Sequence, residues 1–170
     1  MRAAWLALAA ILLSSAGCTS STESIGGTVP FVRHPLGVDV SDAPDPTPEQ
    51  AQLKPVLKDV PSTIKPGRDL RYVVELRNPT DDDVSLDPCP AFYQAYGESG
   101  TAYFGPGFLN CEDAPLAVPA GGAVRFEMIL ELPKRFDGRT YFAGSLIWYL
   151  GTSGQSTEAV FSDTIVVDAN

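Results

Sequence analysis

The chain has 170 residues, 44 % of them hydrophobic, enough for one domain of ordinary size with a real core and some extra segments. Its formal charge is −9, from 12 basic and 21 acidic residues, and no basic stripe offsets it, which disfavours nucleic acid as a partner. Gly and Pro each occur 15 times, a density that suits short strands joined by turns better than long helices.

Residues 1–17 read as an export signal. Arg2 supplies the positive start, and Trp5 to Leu13 is an unbroken apolar run. At a rise of ~1.5 Å per residue that run reaches roughly half of a ~30 Å hydrocarbon core, too short to span it. Ser14, Ser15, Ala16 and Gly17 then provide the small residues of a cleavage site.

The run Ser15-Ala16-Gly17-Cys18 resembles the lipobox of bacterial lipoproteins. Ser15 departs from the pattern, which favours an aliphatic residue there. The resemblance implies a diacylglyceryl group on the Cys18 thiol and cleavage just before it, with the lipid bilayer as a partner. The alternative is an ordinary secretory signal that leaves Cys18 as a free thiol. Each buried CH₂ of an acyl chain contributes about 0.8 kcal/mol, and two chains hold where one exchanges. Cleavage removes Arg2, so the mature chain carries 11 basic and 21 acidic residues, or −10, and stands off an anionic surface.

Residues 18–51 read as the anchor and a tether. TSSTESIGGT is rich in Ser, Thr and Gly, and SDAPDPTPEQ carries Pro44, Pro46 and Pro48. Such segments are flexible or extended, and their task is spacing. Val29 to Val40 (VPFVRHPLGVDV) is more apolar than a tether needs, and an added edge strand or a docked arm is the alternative for it.

Residues 52–170 read as one all-β domain. Val56 to Val60 forms a short first strand. Asp69 to Arg77 alternates, with Leu70, Tyr72, Val74 and Leu76 on one face and Arg71, Glu75 and Arg77 on the other. Val84 to Leu86 starts another strand that extends past Cys89, and Thr101 to Phe104 and Leu116 to Val118 are short candidates. Val124 to Leu132 alternates again, with Val124, Phe126, Met128, Leu130 and Leu132 inward. Thr140 to Leu150 is apolar on both faces, as a central strand is, and Glu158 to Val167 closes the domain. Seven or eight strands with regular turns imply two packed antiparallel sheets, a β-sandwich.

Lys65-Pro66-Gly67 precedes the Asp69 strand and Asn78-Pro79 ends it, while Pro119-Ala120-Gly121-Gly122 precedes the Val124 strand. DVPSTIKPGRDLRYVVELRNPTDDDVSL, with VPAGGAVRFEMILELP after it, resembles the immunoglobulin-like sandwiches of bacterial envelope proteins. In those, a strand ending in Asn-Pro pairs with a strand introduced by Pro-x-Gly-Gly. LDPCPAFYQAYG is similar to stretches of actinobacterial lipoproteins, and the domain also resembles, more faintly, the BsuPI-type proteinase inhibitors.

With Cys18 lipidated, Cys89 and Cys111 remain as a pair, and an exported compartment keeps them oxidised. Closing a loop of about 20 residues stabilises by roughly 3 kcal/mol in the chain-entropy model. A zinc site is the alternative, but two thiolates lack partners, since the only histidine, His34, sits in the tether. Between the cysteines lie Phe92, Tyr93, Tyr96, Tyr103, Phe104 and Phe108. Two readings stay open: half of them are core, or they form a stapled aromatic surface for a partner, since Tyr is enriched at interfaces.

No catalytic set is legible. A Ser-His-Asp arrangement is not expected with His34 in the tether, and no Gly-x-Ser-x-Gly, Walker loop or dinucleotide fingerprint occurs. Asp81-Asp82-Asp83, with Asp87 nearby, is the one dense acidic cluster. Its spacing fits no EF-hand, and a solvated turn is the expected reading over a Ca²⁺ site. The sequence thus leads to a non-enzymatic envelope lipoprotein without cofactor or metal, presenting a sandwich to an envelope protein or wall component. An inhibitor-type module would show an exposed rigid loop between the cysteines. A carboxylate-based hydrolase would show a concave pocket with two converging carboxylates.

Overall fold

The computed structural model of the protein describes residues 24–32, 43–98, 101–134, 141–152 and 157–168. Twelve strands run through them: β1 (Ser24–Val29), β2 (Lys54–Lys58), β3 (Thr63–Ile64), β4 (Asp69–Arg77), β5 (Val84–Ser85), β6 (Ala91–Glu98), β7 (Thr101–Phe104), β8 (Gly107–Phe108), β9 (Ala117–Val118), β10 (Ala123–Glu131), β11 (Tyr141–Leu150) and β12 (Val160–Asp168). A 3₁₀ turn, Gln50–Gln52, leads into β2, and no α-helix occurs among the described residues. The chain is all-β. Its eight strands of four residues or more match the number expected, and β3, β5, β8 and β9 are two-residue pairings.

The strands form two main sheets. The first has the order β1-β10-β4-β2, and the second β3-β12-β11-β6-β7, with β8 also on β6. A small third ladder joins β5 to β9. Most pairs are antiparallel, but β1 runs parallel to β10 and β3 parallel to β12, so both main sheets are mixed at an edge.

The frame of the first sheet is the β4–β10 pair, in register from Ala123 opposite Arg77 to Glu131 opposite Asp69. Alternation places Leu70, Tyr72, Val74 and Leu76 inward, and the same period places Val124, Phe126, Met128 and Leu130 against the second sheet. Each such side chain taken from water contributes about 1.5–3 kcal/mol. The turn before β10 closes on the end of β4, where the Asn78 N–H donates to the Gly122 carbonyl at 2.9 Å. Gly121 sits there at φ +64, a left-handed conformation that glycine adopts without steric cost.

Across the core, Phe92, Tyr96, Leu146, Trp148, Leu150, Ile165 and Val167 face inward from the second sheet. One polar tie joins the sheets: the Tyr72 hydroxyl donates to Gln94 Oε1, and Gln94 Nε2 donates to the Ile129 carbonyl at 2.8 Å. Burial pushes the Tyr72 hydroxyl well above its ordinary pKa, so it stays protonated and keeps donating. Where β11 crosses β6, Gly144 lies so close that a Cβ would sit 2.6 Å from the Gly97 carbonyl oxygen, which leaves no room for a side chain.

Several expected bounds change. The strand starting at Val84 does not extend past Cys89. It stops at Ser85, a cis Asp87–Pro88 bond follows, and the chain joins the second sheet at Ala91. The Val124 strand begins one residue earlier, at Ala123, and the Val56 strand begins two earlier, at Lys54.

A further change concerns the expected tether, residues 18–51, which is held to the domain at two places. β1 pairs with β10, Val29 is buried, and the Pro30 carbonyl accepts from Asn110 Nδ2 at 3.0 Å. Gln50 is buried and donates through Nε2 to the carbonyls of Ser85 and Pro88, at 3.1 and 2.9 Å. The physical reason is that β10 has a free edge whose N–H and C=O groups need partners, and β1 supplies them. Residues 29–32 of the apolar stretch therefore form a docked arm, while 33–40 and His34 lie outside the described residues, as do Cys18 and residues 1–17.

Candidate interaction surface

Cys89 and Cys111 form the expected disulfide, with Cα atoms 5.9 Å apart. It ties the entry to β6 to the segment beyond β8, so the aromatic stretch between them is held at both ends.

The six aromatic residues of that stretch divide between two faces because neighbouring strand residues point oppositely. Phe92 and Tyr96 are core residues and are unavailable to a partner. Phe92 stacks on Trp148 at 5.8 Å, and the Tyr96 hydroxyl donates to the Ile165 carbonyl at 2.9 Å. Tyr103 is half-buried and meets Phe142 edge-on at 6.0 Å. Phe108 is half-buried and lines, with Phe31, Val32 and Leu109, the seam where the arm closes over the sandwich. The Phe104 backbone pairs with Ala95, and its side chain lies outside the described residues. Of the five whose side chains are described, Tyr93 turns to the outer face of the second sheet and stacks on Tyr149, with ring centroids 5.0 Å apart.

The rest of the outer face comes from residues outside the cystine loop. Tyr149 is opposite Tyr93, Ile147 is opposite Ala95, and Phe161 is opposite Ile147. Paired residues share a face, and so do residues two apart, so Tyr93, Ile147, Tyr149 and Phe161 form one aromatic and aliphatic patch. Phe161 is 65 % exposed, while its strand neighbour on the other face, Val160, packs against the core. Burial, and then the neighbouring Tyr93, push the Tyr149 hydroxyl above its ordinary pKa, so it stays protonated at neutral pH. Beside Phe161 lies a shallow groove of about 310 Å³, walled by Leu57, Val60, Pro61 and Ser62 on one side and Ser162, Asp163 and Thr164 on the other.

The sequence missed Ile147, Tyr149 and Phe161 as one surface with Tyr93. The available signal was Thr140 to Leu150, apolar on both faces. β11 is central, and with Leu146, Trp148 and Leu150 filling the core, its other apolar face has to point outward.

The charged groups are arranged as structure. On the outer face of the first sheet, Glu75 receives Arg77 at 2.7 Å and Arg125 at 2.8 Å. Burial raises the Glu75 pKa, but hydrogen bonds and charge from Arg125 and Arg77 outweigh it and hold the carboxyl below its usual value. Asp81, Asp82 and Asp83 are exposed, and Asp83 Oδ1 accepts the Ala120 N–H at 2.9 Å, so the loop braces the turn before β10. Among the described residues no three His, Cys, Asp or Glu side chains converge on a metal position, and no helix is long and apolar enough to cross a membrane.

The described residues between the cysteines are built largely into β6, β7 and β8. The groove beside Phe161 has one carboxylate, Asp163, in its wall.

No family model matches the chain, and no curated protein matches it. Among solved structures it is similar to the Pseudomonas fluorescens alkylpurine DNA glycosylase AlkC, at 12 % identity and TM-score 0.41, over 69 % of this chain and 31 % of that one. It is also similar to the sporulation control protein Spo0M of Bacillus subtilis, at 12 % identity and TM-score 0.35, over 70 % of this chain and 49 % of that one. The chain spans about a third and a half, respectively, of the proteins it matches.

Proposed function

We propose that this protein is a non-enzymatic envelope lipoprotein, anchored by an acylated Cys18, whose sandwich binds an envelope protein through the outer face of its second sheet. The observation that carries the binding reading is the patch of Tyr93, Ile147, Tyr149 and Phe161. Each of its large side chains leaves apolar surface in water that a partner would cover, at about 25 cal/mol per Å². Stacked tyrosines with two rotatable bonds lose little entropy on contact, as interface residues do. The patch lacks charge, which fits the centre of a protein interface better than a wall polymer rich in polar groups. The anchor is supported by the lipobox-like Ser15-Ala16-Gly17-Cys18 after an apolar run too short to span a bilayer.

Two measurements test the two halves. Intact mass spectrometry of membrane-extracted protein is expected to give a chain beginning at Cys18 with added diacylglyceryl mass, absent in Cys18→Ala. An unlipidated, soluble species would overturn the anchor. A photo-crosslinker at Phe161 in intact cells is expected to give one discrete adduct, lost when Tyr149 is replaced by Asp, with the fold preserved by circular dichroism. An adduct that persists in Tyr149→Asp would remove the patch from the interface.

A further inference from the structure

We infer that one end of the sandwich, built from residues 78–83 and 119–123, faces the bilayer on a leash of six residues. This rests on the acylation of Cys18 proposed above. A tether running to residue 51 would leave the domain free to turn in any direction. The pairing of β1 removes that freedom, because Ser24 lies opposite Ala123, Thr28 opposite Arg125 and Val29 opposite Phe126. Beyond β1, the Phe31 N–H donates to Glu127 Oε2 at 3.4 Å, and Asn110 holds the Pro30 carbonyl. From Cys18 to Ser24 is six residues, and at most ~3.4 Å each gives a reach of about 20 Å.

The direction of β1 then selects the end. Because β1 is parallel to β10, its first residue lies where β10 begins. There the turn before β10 is bound to the loop after β4. Gly121 N–H donates to the Thr80 carbonyl at 3.1 Å, Asn78 N–H to Gly122, and Ala120 N–H to Asp83. The opposite end carries Glu131, paired with Asp69, and the Gly67 N–H bonded to the Pro133 carbonyl. β10 has nine residues, about 30 Å at the antiparallel rise. Turning that far end onto the membrane would lift Ser24 about 30 Å from it, which a 20 Å leash does not permit. The leash-side end exposes Asp81, Asp82 and Asp83, so it stands off anionic headgroups and does not insert among them. The strands of the two sheets of a sandwich are roughly aligned, so the Tyr93–Phe161 face becomes a side wall, open to a neighbour anchored in the same membrane.

The test uses the full lipidated chain in phosphatidylcholine vesicles containing an acceptor dye on the headgroup. A donor dye is attached at Asp82→Cys on the near end or at Lys134→Cys on the far end, both exposed positions. Loss of donor emission is expected to be greater at position 82 than at 134. A flexible Gly/Ser insert of about 30 residues after Thr19 is expected to abolish the difference. Equal loss at both sites without the insert, in protein shown by mass to carry the lipid, would overturn the orientation and leave the anchor standing. Protein without the added mass would overturn the anchor, and the orientation with it.

Discussion

At the scale of single residues, the outer face of β4 shows how one carboxylate organises its neighbours. Glu75 is 5 % exposed as a side chain and accepts from both Arg77 and Arg125. Without it, two guanidinium groups remain close together with no anion between them. Glu75→Gln is therefore expected to cost about 2 kcal/mol at pH 7, the scale of a hydrogen bond to a charged group with an unbalanced neighbour. The folded-state pKa lies below the ordinary value, so the stability that ionised Glu75 contributes is present above the unfolded pKa of ~4.3 and is lost as pH falls through the folded value. Denaturation of both proteins from pH 7 downward should show the gap narrowing only below about pH 4. A gap unchanged down to pH 3 would mean that charge is not what Glu75 supplies. The position of Glu75 on the polar face was legible from alternation. Its burial was not, because Arg125 reaches it from a strand 50 residues away. Gln94 was illegible for the same kind of reason: a lone glutamine has no period, and only the approach of Tyr72 and Ile129 makes it the tie between the sheets.

At the scale of elements, β4 and β10 could be read nearly to the residue because one face of each is buried throughout while the other carries most of their charged residues. That contrast stamps a period of two on the sequence, and it fails wherever the contrast fails. β1 reads SIGGTV, with two glycines and no alternation, and the edge of β10 makes it a strand. The aromatic stretch reads as one cluster in sequence, but pairing with β11 sends Phe92 and Tyr96 inward and Tyr93 outward. Deleting residues 24–32 tests the role of β1. It would uncover Phe126 and the edge of β10, remove the burial of Val29 and break the bond from Asn110 to Pro30. The expected cost is about 3 kcal/mol, from one buried aliphatic side chain and a few hydrogen bonds. An open edge is also a template for another chain, so sedimentation should show more self-association in the deletion variant than in the intact protein. A monomer of unchanged melting temperature would mean that the arm only rests on the domain.

At the scale of the whole molecule, two sheets and one core were legible from strand count and turn spacing, whereas the strand order was not, since edge pairing leaves little trace in local pattern. The disulfide could be read from parity, and its place in the assembled fold determines what its loss should do. Cys89 and Cys111 are 22 residues apart, and the chain between them is largely paired with itself, β7 and β8 both lying on β6. Those ladders do not need the bond in order to find each other. Its main action is on the unfolded chain, whose loop it closes at a benefit of roughly 3 kcal/mol. Replacing both cysteines with serine should therefore lower the melting temperature by about 10 °C and leave the far-ultraviolet spectrum of the folded protein unchanged. The near-ultraviolet signal of Phe92 stacked on Trp148 should also persist at low temperature, because that contact is held by β6 on β11. Loss of the Trp148 signal in the serine variant at 10 °C would mean that the bond holds the aromatic layer in place directly, and the cystine would then belong to the core as much as to the unfolded chain.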